Sequence, residues 1–269
     1  MPTDLISIII LNHNTWEECT QRCLECVLQN TRPPFEIILV DNGSNQHEAA
    51  RIQQELQHEA AMHLIAAREN LGFSAGNNCG LAEADAEARF ICFLNSDCYI
   101  LEAGWNRKVT DMFERNPQLG AASLTRGEKC HYIDGEYGDA YWFEPTIEPY
   151  DCEWVNGACL VVDRSRVGDL RFDTAYSPAY WEDTDLSFQI RQQGWMVAQR
   201  PDFDITHLGS STVAGMKDGI PFQGQTLALS YLYERNRMHL LRKWKAMLHP
   251  RLDGTQSRQF LHQFYKSPL

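Results

Sequence analysis

Four short, almost purely apolar runs constrain this chain more than any other feature: residues 5–11, 35–40, 62–66 and 89–94. Each is too short for a stable helix and does not alternate apolar with polar, so it reads as a strand buried on both faces. Amphipathic stretches lie between the runs. Together they predict an α/β fold with a mostly parallel central sheet, flanked by helices that make right-handed crossovers. Each run stops at a polar cluster: Asn12-His13-Asn14, Asp41-Asn42-Gly43-Ser44, Glu69-Asn70-Leu71-Gly72 and Asn95-Ser96-Asp97. In a parallel sheet these four clusters meet at the carboxyl edge, where ligands of open α/β sheets bind.

The length of 269 residues suits one α/β domain over residues 1–224 and an amphipathic helical extension over 225–269. From about residue 125 to 150 the periodicity fades, predicting a long loop or small hairpin over the crevice. Order returns at residues 154–163. A helix is expected from Glu182 to Gln193 with Gly194 at its C-cap, followed by a strand over 195–199. A last helix is expected from about 226 to 248, gathering Arg235, Arg237, Arg242, Lys243 and Lys245.

Lys and Arg number 24 against 36 Asp and Glu, a formal charge of -12, which argues against an extended grip on nucleic acid. No apolar run approaches the roughly 20 residues of a membrane span, and residues 5–11 follow no basic leader. The expectation is a cytoplasmic protein. Its basic C-terminal helix would either rest on the inner face of the plasma membrane or pack against the domain. The nine cysteines are odd in number and scattered, as expected of reduced thiols, with Cys19, Cys23 and Cys26 on one buried helix face.

Several clusters could carry chemistry. Asp97, just past a buried strand, could hold a hard divalent cation shared with phosphates, or could simply shape a turn. In Trp181-Glu182-Asp183-Thr184-Asp185 three acids occupy four positions at a helix start, where they either offset the macrodipole or include a general base. His207 stands beside the small residues Gly209-Ser210-Ser211-Thr212, able to approach a phosphate or ligate a metal. The segment from Gly72 to Asn78 opens a helix with glycines but matches neither the dinucleotide fingerprint nor the P-loop.

In order and spacing, these motifs resemble glycosyltransferase family 2, particularly its bacterial rhamnosyltransferase-like branch. The resemblance runs from about residue 5 to 212 and includes Asn156-Gly157-Ala158 between the two acidic motifs. It implies a GT-A fold and inversion by direct displacement of a nucleotide diphosphate. It also implies a UDP- or dTDP-sugar donor, with dTDP-rhamnose a candidate, and a glycan or lipid-linked saccharide acceptor in surface polysaccharide synthesis. Carried over by position, Asp41 would recognise the base. Asn12, Asn70 and Asn77 would line the donor pocket, with Gly72, Phe73 and Asn95 beside them. Asp97 and His207 would hold Mg or Mn, and Asn156 and Gly157 would shape the sugar and acceptor side. Asp183 would be the base, with Glu182 the other candidate. The family's metal motif is often Asp-x-Asp, whereas this chain has Asn95-Ser96-Asp97. Two other readings are a non-catalytic nucleotide-sugar-binding module and a sugar nucleotidyltransferase. The latter usually carries a basic, glycine-rich loop that Asn12-His13-Asn14-Thr15 lacks.

Overall fold

A computed structural model describes residues 4–57, 62–125, 150–152, 154–168, 170–200, 202–209 and 219–244. The four apolar runs are strands β1 (Ile6–Asn12), β2 (Phe35–Asp41), β3 (Met62–Ala66) and β4 (Phe90–Asn95). Between them lie helices α1 (Gln21–Asn30), α2 (Gln46–Leu56) and α3 (Gly72–Glu83). For β1, β2 and β4 the continuous apolar character follows from two-sided burial, whereas β3, expected to be buried on both faces, is an edge strand with no fully buried residue. Ile8, Ile10, Ile37, Leu39, Cys92 and Leu94 enter one core layer. The intervening Ile9, Ile38, Val40, Ile91 and Phe93 enter the other. Each such large side chain contributes about 1.5–3 kcal/mol by leaving water.

Beyond β4 the chain forms β5 (Cys98–Ile100), α4 (Trp105–Arg115), β6 (Leu119–Ser123), β7 (Tyr150–Cys152), β8 (Cys159–Asp163), α5 (Arg164–Val167), α6 (Glu182–Gln192) and β9 (Met196–Gln199). The main sheet has eight strands in the order β3-β2-β1-β4-β8-β6-β9-β7. Six of the eight run one way; β8 is antiparallel to β4 and β6, and β7 is antiparallel to β9. The expected mostly parallel sheet is therefore present, with two reversed strands. Sequence periodicity does not announce β6, because its site demands small residues: a Cβ on Gly120 would meet Trp195 Cβ at 2.7 Å and Ile190 Cγ2 at 2.8 Å.

The last described part differs from the continuous helix expected from about residue 226. A hairpin of β11 (Ile220–Phe222) and β12 (Gln225–Leu227) comes first, after β10 (Ile205–His207), and α7 spans Leu229–Lys243. Leu240 and Trp244 pack with Tyr176, Trp181 and Phe188. The fully buried Asp185 carboxylate accepts hydrogen bonds from Tyr176 Oη at 3.1 Å, Gln189 Nε2 at 2.8 Å, Lys243 Nζ at 2.9 Å and Trp244 Nε1 at 2.7 Å. Arg237 pairs with Glu234, and Arg235 donates to the Ser177 carbonyl. Of the five basic residues gathered on this helix, Arg235, Arg237 and Lys243 are thus engaged within the protein, Arg242 is exposed, and Lys245 lies outside the described residues. Among the described residues no helix is long and apolar enough to cross a membrane. Cys19, Cys23 and Cys26 are buried and free, as their spacing predicts, and burial pushes the Cys23 thiol well above its ordinary range. The expected loop over 125–150 falls almost wholly outside the described residues.

Candidate active site

A cavity of ≈ 750 Å³ opens at the carboxyl edge of β1, β2 and β4. Parallel register brings the strand ends level: Asn12 pairs with Asp41, and Leu11 with Asn95. Asn12 itself is fully enclosed. Its carboxamide donates to Ser44 Oγ at 3.0 Å and Glu48 Oε1 at 2.8 Å and accepts from Thr20 Oγ1 at 2.7 Å. Asp41 accepts from the Ser44 amide at 3.3 Å. Neither Asn12 nor Asp41 lines the cavity; both stand behind it and fix the 41–44 loop. Asn42, which the sequence reading placed in an edge cluster without an individual role, does line it. Its Nδ2 donates to Asn70 Oδ1 and the Gly72 carbonyl, both at 3.3 Å, and its Oδ1 accepts from the Leu71 amide at 3.0 Å.

This junction between two loops requires Gly43, which adopts φ +74° and whose added Cβ would lie 2.2 Å from Glu69 C and 2.5 Å from Asn70 N. Gly43→Ala is expected to lose at least about 1–3 kcal/mol from backbone strain alone, before the clash is counted. It should also weaken nucleotide binding by displacing Asn42 and Asn70. Thermal melting together with UDP titration checks both effects, and an unchanged melting temperature would contradict the close approach.

The cavity also gathers Asn70, Gly72, Phe73, Asn77 and Asn95, expected beside a donor. Asn77 Nδ2 donates to the Phe73 carbonyl at 3.0 Å, and the Phe73 amide donates to Pro178 O at 2.7 Å. The metal candidates meet through a feature that sequence reasoning missed. β5 and β10 form an antiparallel ladder in which Cys98 pairs with His207. That register sets His207 Nε2 3.2 Å from Asp97 Oδ1 at the cavity. Three-residue strands carry too little periodicity to be read in advance. Cys98 is close to both, but it is fully buried and its thiol donates to the Ala158 carbonyl at 3.2 Å. A carboxylate and an imidazole facing a cavity fit a divalent cation whose remaining positions are filled by phosphate oxygens.

Across the cavity stand Asn156, Gly157, Glu182 and Asp183. α6 begins after two bulky residues in left-handed conformation, Tyr180 at φ 80° and Trp181 at φ 75°. Asp183 accepts from the Gly157 amide at 3.2 Å and the Thr184 amide at 2.7 Å, while Asn156 Oδ1 accepts from the Ala158 amide at 2.6 Å. Gly157 allows this approach, since a Cβ there would lie 3.2 Å from Asp183 Cβ. Burial raises the Asp183 carboxyl, and the hydrogen bonds from Thr184 and Gly157 restrain that rise. Burial and the neighbouring Asp183 push Glu182 well above the carboxylate range, and its Oε2 has no hydrogen-bond partner among the described residues. Both carboxyls are thus held above their ordinary values, Glu182 the more strongly.

A mostly parallel, helix-flanked sheet with two reversed strands and a cavity at its carboxyl edge is the architecture of the GT-A fold. Solved structures agree on that fold. GalNAc-T7 with UDP, GalNAc and Mn2+ superposes with a TM-score of 0.63 at 15% identity, covering 76% of this chain and 43% of that one. Residues 1–349 of S. aureus TarS in complex with UDP-GlcNAc give 0.57 at 15% identity, covering 75% and 57%. Residues 7–132 match the sequence model of glycosyl transferase family 2. It is also 24% identical to the N-acetylglucosaminyl-diphospho-decaprenol L-rhamnosyltransferase of Mycobacterium tuberculosis, over 76% of each chain.

Proposed function

We propose that the cavity binds a pyrimidine nucleotide sugar between the Asn42–Asn70 side and the Asp97–His207 pair, and transfers the sugar with inversion to a saccharide hydroxyl. The observation that carries this reading is that the Asp97–His207 pair and the adjacent acids Glu182 and Asp183 line the same cavity. A divalent cation bound by Asp97 and His207 would neutralise the charge that builds on the departing diphosphate. Asp183, ionised and oriented by two backbone amides, takes the proton of the acceptor hydroxyl. The hydroxyl oxygen bonds to the anomeric carbon as that carbon's bond to the diphosphate oxygen breaks. Glu182 keeps its proton, so the site does not gather a second negative charge against the incoming hydroxyl.

The relatives suggest the substrates. TarS is solved with UDP-GlcNAc, and the mycobacterial relative is named for a lipid-diphosphate-linked N-acetylglucosamine acceptor. A UDP- or dTDP-sugar and a lipid-linked saccharide of surface polysaccharide synthesis are the proposed pair here. Calorimetric titration of UDP, dTDP and GDP, each with and without Mn2+, tests the donor site. One pyrimidine diphosphate should bind in a metal-dependent way, with the metal-dependent part lost in Asp97→Ala. Binding indifferent to metal and to Asp97 would refute the role of this pair. Binding without transfer from any nucleotide sugar would favour a non-catalytic module.

A further inference from the structure

The cavity lining has two chemically different parts. Asn42, Asn70, Asn95 and Asp97 are polar, as a nucleoside diphosphate requires. Trp154, Tyr180, Trp181, Ile220, Pro221 and Tyr233 form an aromatic and apolar part. Tyr233 belongs to α7, is 36% exposed, and stands with its ring centroid 5.0 Å from Trp181 and 6.2 Å from Tyr180. Through Trp181 this aromatic part adjoins Glu182 and Asp183 in the chain, where a hydroxyl must give up its proton. A pyranose ring offers an apolar C–H face to such a surface while its hydroxyls reach polar groups at the rim.

One turn further along α7, Asn236 is fully buried. Its Nδ2 donates to the carbonyls of Tyr176 at 2.6 Å, Ala179 at 2.8 Å and Tyr180 at 3.0 Å, and its Oδ1 accepts from Arg235 Nε at 2.9 Å. Those carbonyls belong to the turn that ends in Tyr180 and Trp181, both left-handed, a conformation that bulky residues keep only when their surroundings impose it. Asn236 supplies that imposition directly before the two acids.

We propose that α7 completes the acceptor half of the active site, with Tyr233 stacking on the acceptor saccharide and Asn236 acting as the positioning residue that aims Glu182 and Asp183. The proposal rests on the transferase reading and adds the acceptor's subsite to it. The two side chains have separable signatures. Tyr233→Ala weakens the acceptor by roughly tenfold in KM with donor KM unchanged, and Tyr233→Phe restores it. Asn236→Ala lowers kcat by on the order of 10²-fold, because a small displacement of the base suffices, and it moves the acidic limb of the pH–rate profile. UDP affinity and stoichiometry stay as in the wild type for both variants.

The test uses the full chain, measuring transfer kinetics with the nucleotide sugar it turns over and N-acetylglucosaminyl diphosphate on a short lipid as acceptor probe. Binding of that probe in the presence of UDP and Mn2+ is followed in parallel by ligand-observed NMR. Equal probe binding by wild type and Tyr233→Ala overturns the stacking role, even if no transfer is seen. A fall in Asn236→Ala turnover matched by an equal loss of UDP-binding sites, with an unmoved pH profile, reveals a misfolded fraction and overturns the positioning role. Wild-type protein that binds UDP and probe but transfers nothing would instead fail the transferase reading.

Discussion

Asp183→Asn lowers turnover by about 10²- to 10⁴-fold while UDP binds as tightly as before, because the amide keeps the shape but cannot take a proton. The effect falls on kcat because, in the proposed reaction, Asp183 serves the attacking hydroxyl and not the nucleotide. In the wild type, turnover is lost as pH falls through the raised value of Asp183, so the acidic limb lies above the ordinary carboxylate range. The variant has no such limb. Glu182→Gln loses less, since Gln resembles the protonated form that burial already imposes on Glu182. Steady-state rates of the three proteins across pH decide between the acids, and a greater loss in Glu182→Gln would exchange their roles.

Asp185→Ala costs about 3–5 kcal/mol, the range for removing one partner of a buried charge pair. Lys243, Trp244, Tyr176 and Gln189 all lose the same fully buried acceptor. For a chain of this size that is roughly a 10 °C fall in melting temperature, with α7 detaching first. Asp185→Asn keeps one acceptor oxygen and should lose less. Acid loosens the same dock. Burial alone would raise Asp173, but hydrogen bonds from Lys243, the Ala175 amide and His239 outweigh it and hold its pKa at about 2. The folded value lies below the ordinary 3.8, so this contribution is complete above about pH 4 and is lost as pH falls toward 2. Melting curves of wild type and Asp185→Ala from pH 7 to pH 2 read both effects. A melting temperature unaffected by the substitution would mean that α7 is held elsewhere.

The parallel half of the fold was legible because two-sided burial writes itself as an unbroken apolar run, and the polar stops of those runs marked the edge cavity. The acids were legible as a cluster, yet their division of labour was not. Asp185 anchors a helix while Asp183 faces the cavity, a difference set by residues about 60 positions away. Trp154, Tyr180 and Tyr233 went unseen as cavity residues because loops and a distant helix bring them in without any local pattern. The Asp97–His207 pair was guessed from resemblance. What joins it is a three-residue ladder too short to leave a periodic trace.

The reversal of β8 has a consequence for how such a chain can diversify. Parallel strands deliver their carboxyl ends to the ligand edge, whereas β8 delivers its amino end, so Asn156 and Gly157 reach the cavity from the opposite chain direction. The surfaces proposed for the nucleotide, His207 aside, come from the span that matches the family model, and those proposed for the acceptor come from beyond residue 132. A chimera spliced between β6 and β8 would inherit its donor from one parent and its acceptor from the other, so the two specificities could drift on separate schedules within one fold.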